Sequence, residues 1–587
     1  MKNKKLFLPI VITFIAVVAV TAFWFIKKNM PCKDYMSLAK YYGNNGNGYT
    51  VVLEDKINEE KALYQKGHVY IDYNLVSNTL NKRFYWDSNE NLLIYTTATA
   101  VITTHINSNK YTINKSLNTK DYVIAKLKNN KLYIALDFVK DYTALSYNLY
   151  KNPNRVVLKY EYGKKQKWIQ SAEETKLRFE PSIKSPILVD VKKEEKLRIL
   201  EDESKDSGFD KVISESGVIG YVKASDLKEA YDYVPKTDFV EEEYPHTLLE
   251  GKVNLLWHQV TNQTANSTLL NVISGTKNVN VIAPTWFATS DNNGSISSLA
   301  SYDYVDKAHS MGLQVWGLCD DFSPDMKIGN VLGRTSRRER LEKNLIAEAI
   351  KYSLDGINID FENVKSKNGT DFIQFIRELG IMCRNNGIIL SIDNYPPANY
   401  SAYYAREEQA AVADYVITMA YDEYYSGSEE AGPVSSLSYV KNAVTNILNE
   451  VPAKQSVIGL PFYSRMWKET TRSGETKIKS EACSMKYAEE LVNDAKADIT
   501  WDEERGLDYA EYTKDGTLYK IWLENAKSLE LKLKEVESGK MAGVAFLKAG
   551  MEKKKCLGYD REIYSTVDYM MQGSKYLLNQ TSLHIII

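Results

Sequence analysis

The stretch Leu354-Asp355-Gly356-Ile357-Asn358-Ile359-Asp360-Phe361-Glu362 constrains this chain more than any other. Read as a strand, it has a period of two. Ile357, Ile359 and Phe361 point to one side, and Asn358, Asp360 and Glu362 to the other. A polar row of that kind is costly on a strand with no reason to face water, unless the row is used. Same-side neighbours lie about 6–7 Å apart at Cα, so the carboxyls of Asp360 and Glu362 can touch. Two like charges that close raise the pKa of one carboxyl, which then keeps its proton near neutrality. That is the preparation a glycosidic general acid needs. The plainer reading, an idle solvated Asp/Glu pair at a strand end, suits a random D-x-E better than this eight-residue context.

The text around this stretch, from about 250 to 560, alternates apolar strands with amphipathic helices, the pattern of a parallel sheet with crossover helices. Eight strands are expected: Val253–Trp257, Val279–Ala283, Leu313–Leu318, Gly356–Phe361, Ile388–Ile392, Tyr415–Ala420, Val457–Leu460 and Ala542–Phe546. Helical runs such as Arg338–Tyr352 and Thr370–Arg384 lie between them. Eight such units in roughly 310 residues predict a (β/α)8 TIM barrel with its site at the strand C-terminal ends. The long gap before the last strand holds a hairpin, Tyr509–Thr513 turning at Asp515-Gly516 into Leu518–Trp522, expected to wall one side of a cleft.

The stretch Asp355-Gly356-Ile357-Asn358-Ile359-Asp360-Phe361-Glu362 resembles the D-G-x-D-x-D-x-E signature of glycoside hydrolase family 18, the chitinase-like barrels, and particularly their bacterial cell-wall and spore-cortex members. Met419-Ala420-Tyr421-Asp422 at the sixth strand end matches the family's M-x-Y-D. The resemblance implies substrate-assisted catalysis with retention, in which the substrate's 2-acetamido oxygen is the nucleophile. It assigns Glu362 as acid and then base, Asp360 as the holder of the acetamido N–H, and Tyr421 as donor to its carbonyl oxygen. Asp422 and Asn358 are implied as supporting positions. Further substrate-binding candidates at strand ends are Met419, Trp257, Trp286, Tyr395, Tyr463 and Arg465, the aromatic rings being suited to the flat C–H faces of sugars. Two departures stand out. Asn358 replaces the family's middle Asp, and Leu547 stands where many relatives carry a Trp floor.

Before the barrel, several smaller pieces are expected. Leu6 to Ile26 is a run of 21 residues without a charge, flanked by lysines, long enough to span a bilayer and with no small-x-small cleavage site. Residues 1–30 are therefore read as a cytoplasmic tip and an uncleaved anchor, which places the bulk outside the cell membrane of a bacterium, single-pass. Residues 33–162 are strand-and-turn text with a faint repeat, Val69–Val76 echoing Leu132–Val139, and resemble the copper amine oxidase N-terminal domain, though no copper ligand set is present. Residues 166–229 end in Gly217-Val218-Ile219-Gly220-Tyr221-Val222 and resemble bacterial SH3-like domains. Residues 230–249 are an acidic, proline-punctuated linker. The tail at 561–587 carries no functional account.

Composition narrows the partners. Lys+Arg 74 against Asp+Glu 76 leaves no electrostatic case for nucleic acid. The five cysteines are scattered, without C-x-x-C spacing, so neither a disulfide framework nor a structural zinc site is expected, and no metal or other cofactor is implied. The expected partner is a cell-wall glycan, peptidoglycan or chitin-like, with the membrane held through the anchor and the chain a monomer. The competing readings are a weak or inactive wall-binding protein on the same fold, a structural envelope component, and a chitinase.

Overall fold

The structure, a computed structural model, describes residues 4–43, 48–201, 207–273, 278–472 and 474–547. Cys556 and the tail expected at 561–587 lie outside the described residues. The chain folds as two compact units. The first takes in the chain up to Phe84, with Leu92–Tyr95 and Ile102–Glu242. The second takes in Tyr85–Asn91, Thr96–Val101 and the chain from Glu243.

In the first unit a helix, Lys4–Asn29, precedes two seven-stranded sheets and the paired strands Lys110–Ile113 and Ser116–Thr119. Its Val11–Asn29 stretch is long and apolar enough to cross a membrane. One seven-stranded sheet runs, edge to edge, Ser146–Tyr150, Arg155–Lys159, Tyr49–Leu53, Lys56–Gln65, His68–Asp72, Lys131–Ala135, Ala125–Lys128. Residues 49–65 supply two of its strands. The faint repeat has a structural meaning. His68–Asp72 and Lys131–Ala135 each run straight into a helix, and the two strands pair antiparallel with Ile71 opposite Ile134. A second seven-stranded antiparallel sheet is built from 166–233, and its edge strand Tyr231–Tyr233 extends past the point where the sequence suggests a linker. Val52 and Val157 of the first sheet share one core with Ile169, Leu177, Leu188 and Val212 of the second.

The second unit is a closed eight-stranded parallel barrel. Its strands are Val253–His258, Val281–Thr289, Gln314–Asp320, Gly356–Asp360, Ile389–Asn394, Tyr415–Met419, Ser456–Pro461 and Gly543–Leu547, called here the first to the eighth. Each pairs in parallel with the next, and the eighth pairs back to the first with Leu256 opposite Phe546. Alternation divides the side chains. Ile357 and Ile359 pack with Ile282, Leu390, Ile392 and Val416 against the surrounding helices. Val253, Leu255, Trp257, Trp316, Leu318, Tyr415 and Ile417 fill the interior. Trp316 explains the glycine of the motif: a Cβ on Gly356 would stand 2.6 Å from its ring.

Two buried ion pairs join the helices on the acid-bearing side, and a third, partly exposed, follows them. Arg338 in Thr335–Tyr352 reaches Glu378 in Gly369–Asn385 at 2.9 Å. Arg377 of that second helix reaches Glu408 in Arg406–Val412 at 2.9 Å, and Arg406 reaches Glu450 at 2.8 Å. Between the seventh and eighth strands lies more than the expected hairpin. Leu507–Lys514 and Thr517–Leu523 are two strands of a five-stranded antiparallel sheet that also holds Glu475–Ser484, Tyr463–Arg472 and Ile499–Asp502. The long strand text at 463–484 is polar and charged, so apolar periodicity gave no sign of it.

Candidate active site

The fourth strand delivers three polar side chains to the interior and its C-terminal mouth, as its alternation requires. Asn358 is fully buried among strands. Its Oδ1 accepts from the Trp257 indole N–H at 3.0 Å, and its Nδ2 donates to Ser391 Oγ at 3.0 Å and Asp393 Oδ1 at 2.9 Å. One step up the strand, Asp360 is partly exposed, yet its Oδ1 is buried without a hydrogen-bond partner. At the mouth, Glu362 Oε2 accepts from the Tyr395 hydroxyl at 2.6 Å. The backbone that carries Glu362 is tied down from the third strand's end. Asp321 accepts from the amides of Glu362 at 3.1 Å and Asn363 at 2.9 Å, and from the Asn363 side chain at 3.1 Å.

This is a cluster of carboxyls without a cation. None of Asp320, Asp321, Asp360, Glu362 and Asp393 forms an ion pair among the described residues, and the consequences are electrostatic. Burial raises the pKa of Asp360 well above the ordinary range, and Asp393, Glu362, Asp320 and Asp321 push the same way. Burial raises Glu362 too, offset in part by the Tyr395 hydrogen bond. Asp393 is pushed up to about 8 by burial, against the hydrogen bond from Asn358. Asp321 is pushed up to about 6 by burial, against its three donors. Burial and the facing Asp360 and Asp393 carboxyls raise the hydroxyl of Tyr421, half-buried just past the end of the sixth strand, far above the usual range. Chemically, the mouth holds carboxyls pushed towards their protonated forms and a phenol that keeps its proton.

The remaining candidates divide. Asp422 has φ +53° and a carboxylate that accepts from Tyr463 Oη at 2.6 Å, with Arg465 Nη2 at 3.7 Å, so these three form one group beside the mouth. Met419 is buried at the end of the sixth strand. Leu547 is half-buried at the end of the eighth. Two aromatic candidates need correction. Trp286 is 1% exposed and packs in the outer layer against Tyr304, its indole donating to Asn266 Oδ1 at 2.8 Å. It shares the outward phase of Ile282, while Val281 and Ala283 face the interior, so it cannot wall a cleft. Trp257 is 3% exposed and lies within the barrel, below the mouth, where it holds Asn358 rather than offering a face. Sequence reading missed Asp393, Ser391 and Asp321. Ser391 and Asp393 follow the same period of two as the motif strand, one strand over, and that alternation was the available signal.

Residues 324–552 match the sequence profile of Glycosyl hydrolases family 18. The fourth to eighth strands of the barrel thus carry the family 18 glycosyl hydrolase match. Residues 51–157, in the first unit, match the profile of the copper amine oxidase N-terminal domain. The chain is similar to the cortical fragment-lytic enzyme of Bacillus subtilis (strain 168), 24% identical over 221 residues, which are 36% of this chain and 51% of the relative. The chain thus spans about half the length of that relative. It is also similar to the glycosylase YvbX of the same organism, 25% identical over 291 residues, 47% of this chain and 82% of the relative. Among solved structures, the spore cortex-lytic enzyme SleL of Bacillus megaterium QM B1551 superposes with a TM-score of 0.46 at 16% identity, covering 57% of this chain and 77% of that one.

Proposed function

We propose that the family 18 domain hydrolyses β-linked N-acetylglucosamine in peptidoglycan or a related wall glycan, with retention and with the substrate's acetamido group as nucleophile. The observation that carries this reading is Asp360 Oδ1, a buried acceptor with no partner, on the strand whose end carries Glu362, an acid raised by burial, and near the Tyr421 phenol. An unsatisfied buried carboxyl oxygen costs roughly 1–3 kcal/mol, and an acetamido N–H would satisfy it. In this mechanism Glu362 gives its proton to the leaving oxygen as the acetamido oxygen attacks the anomeric carbon and the glycosidic C–O bond breaks. Asp360 accepts from the acetamido N–H, and Tyr421 donates to the acetamido oxygen before attack. Glu362, now a carboxylate, takes a proton from water as the water attacks the same carbon and the acetamido oxygen departs. Two displacements restore the configuration. Asp422, Tyr463 and Arg465 are assigned to the sugar edge. The relatives named for cortical fragments and spore cortex support a wall glycan as substrate. The apolar helix at Val11–Asn29 supports attachment to a membrane with the barrel outside.

The test is the full chain in detergent, with and without Glu362→Gln, incubated with peptidoglycan and with N-acetylglucosamine oligomers, and the products read by mass spectrometry and by NMR of the new anomeric centre. Cleavage by the parent alone, giving the β-anomer first, is the expected result. Equal wall binding with no cleavage by either protein would favour a binding role, the reading that Leu547 in place of an aromatic floor favours.

A further inference from the structure

The motif strand of this chain has an amide, Asn358, at the position below Asp360, and an amide can neither accept a proton from a carboxyl nor share one. The neighbouring strand offers the missing group. Asp393, on the fifth strand, is 3% exposed and bonded to Asn358, and its negative charge bears on Asp360 more strongly than that of any other residue. Asn358 is fixed in orientation, because the Trp257 indole can only donate and so claims Oδ1, leaving Nδ2 for Ser391 and Asp393.

We propose that Asp393 is a positioning residue of the active site: it supplies, from the next strand, the buried carboxyl that Asn358 lacks, and with the Asn358 amide bonded to it Asp393 gives up its proton before Asp360, which keeps its own. The inference rests on the hydrolase reading above. Its logic is geometric. The Asn358 amide stabilises Asp393 as the carboxylate, two buried carboxyls without a cation cannot both ionise, and the proton is therefore left on Asp360. Among the described residues, several titratable and charged groups face this pair. They are Asp320 and Asp321 from the third strand, Glu362 from the fourth, Tyr395 from the fifth, Tyr421 from the sixth, and Tyr463 with Arg465 and Asp422 beyond. His258 of the first strand points outward to Tyr304 and takes no part.

The experiment compares the full chain with Asp393→Asn, Asn358→Asp and the double variant that exchanges the two groups. Removing a buried negative charge lets the remaining carboxyls lose their protons sooner, so Asp393→Asn is expected to move the alkaline limb of kcat/KM to lower pH by about one unit or more. Asn358→Asp adds a charge and is expected to move it to higher pH, and the exchange variant to bring it back towards the parent. A limb that stays put in Asp393→Asn overturns the proposal. A second readout needs no activity: urea midpoints measured from pH 5 to pH 8. The parent is expected to lose stability with rising pH, and Asp393→Asn to flatten that loss. A parallel downward shift at every pH would mark Asp393 as merely structural and overturn the inference. Should Glu362→Gln cleave as well as the parent, the hydrolase mechanism fails, while the urea series still decides the proton count assigned to Asp393.

Discussion

The Tyr395 hydroxyl donates to Glu362 Oε2 at 2.6 Å, across the mouth of the barrel from the fifth strand's end to the fourth's. That bond favours the ionised acid and so opposes the burial that raises its pKa. Tyr395→Phe removes the opposition. The alkaline limb of kcat/KM is expected to move to higher pH by about one unit, equivalent to a lost charge-assisted bond of roughly 1.4 kcal/mol. Full pH–rate profiles of the two proteins check it. A shift to lower pH would contradict the assignment of Glu362 as the titrating acid.

Glu362→Gln removes the proton donor while keeping shape. The expected loss in kcat/KM is at least about 10²- to 10⁴-fold, the range for a general acid. Stability should move the other way. A carboxyl whose pKa is raised by folding destabilises the folded state above its unfolded pKa, so the glutamine variant is expected to melt at the same temperature as the parent or higher at pH 7. Calorimetry beside the rate assay separates the two effects.

Asp321 never meets a substrate in this scheme, yet it holds the backbone under Glu362. Asp321→Ala is expected to cost about 10²-fold in kcat with a smaller change in KM, because displacing a catalytic group by about 1 Å costs that much. The parent also carries a pH signature here. Asp321 and Asp393 hold their protons to about 6 and about 8 when folded, against ordinary values near 4 when unfolded. The folded chain binds more protons across that window, so unfolding free energy should fall as pH rises through it and be greatest below it. Urea titrations at intervals from pH 4 to pH 8 measure the slope.

Lys532 and Glu524 form an ion pair with side chains 0% and 2% exposed. Lys532→Met leaves Glu524 buried without its cation, which is expected to cost about 3–5 kcal/mol at pH 8. The cost should shrink at pH 5, where the unpaired Glu524 can take a proton instead. Equal losses at the two pH values, by chemical denaturation, would show that packing rather than charge is responsible.

The barrel was legible because each of its eight strands is an apolar run set between helical text, and all eight are present within a few residues of the expected bounds. The acid-bearing face was legible for the same reason, since Asn358, Asp360 and Glu362 alternate with Ile357, Ile359 and Phe361. The aromatic candidates failed where composition was used without phase. Trp286 sits on the outward register of its strand, and Trp257 sits too deep. Asp393 was missed because the expected fifth strand stopped at Ile392, two residues short of the observed end at Asn394. The five-stranded insertion was only half legible, since its strands at 463–484 are polar and pair through backbone bonds that leave no apolar trace.

The arginine–glutamate pairs that stitch together the helices behind the third to sixth strands have an evolutionary consequence. Arg338–Glu378 and Arg377–Glu408 each link neighbouring helices by a buried contact that tolerates neither partner's loss alone, so that half of the barrel, the half bearing the carboxyls, resists piecemeal change. The sheet inserted between the seventh and eighth strands carries its own core of Met466, Cys483, Ala488 and Ile521. A lineage could therefore trade that sheet for another, and with it the shape of the cleft and the polymer admitted, while the acid and its setting pass down unaltered.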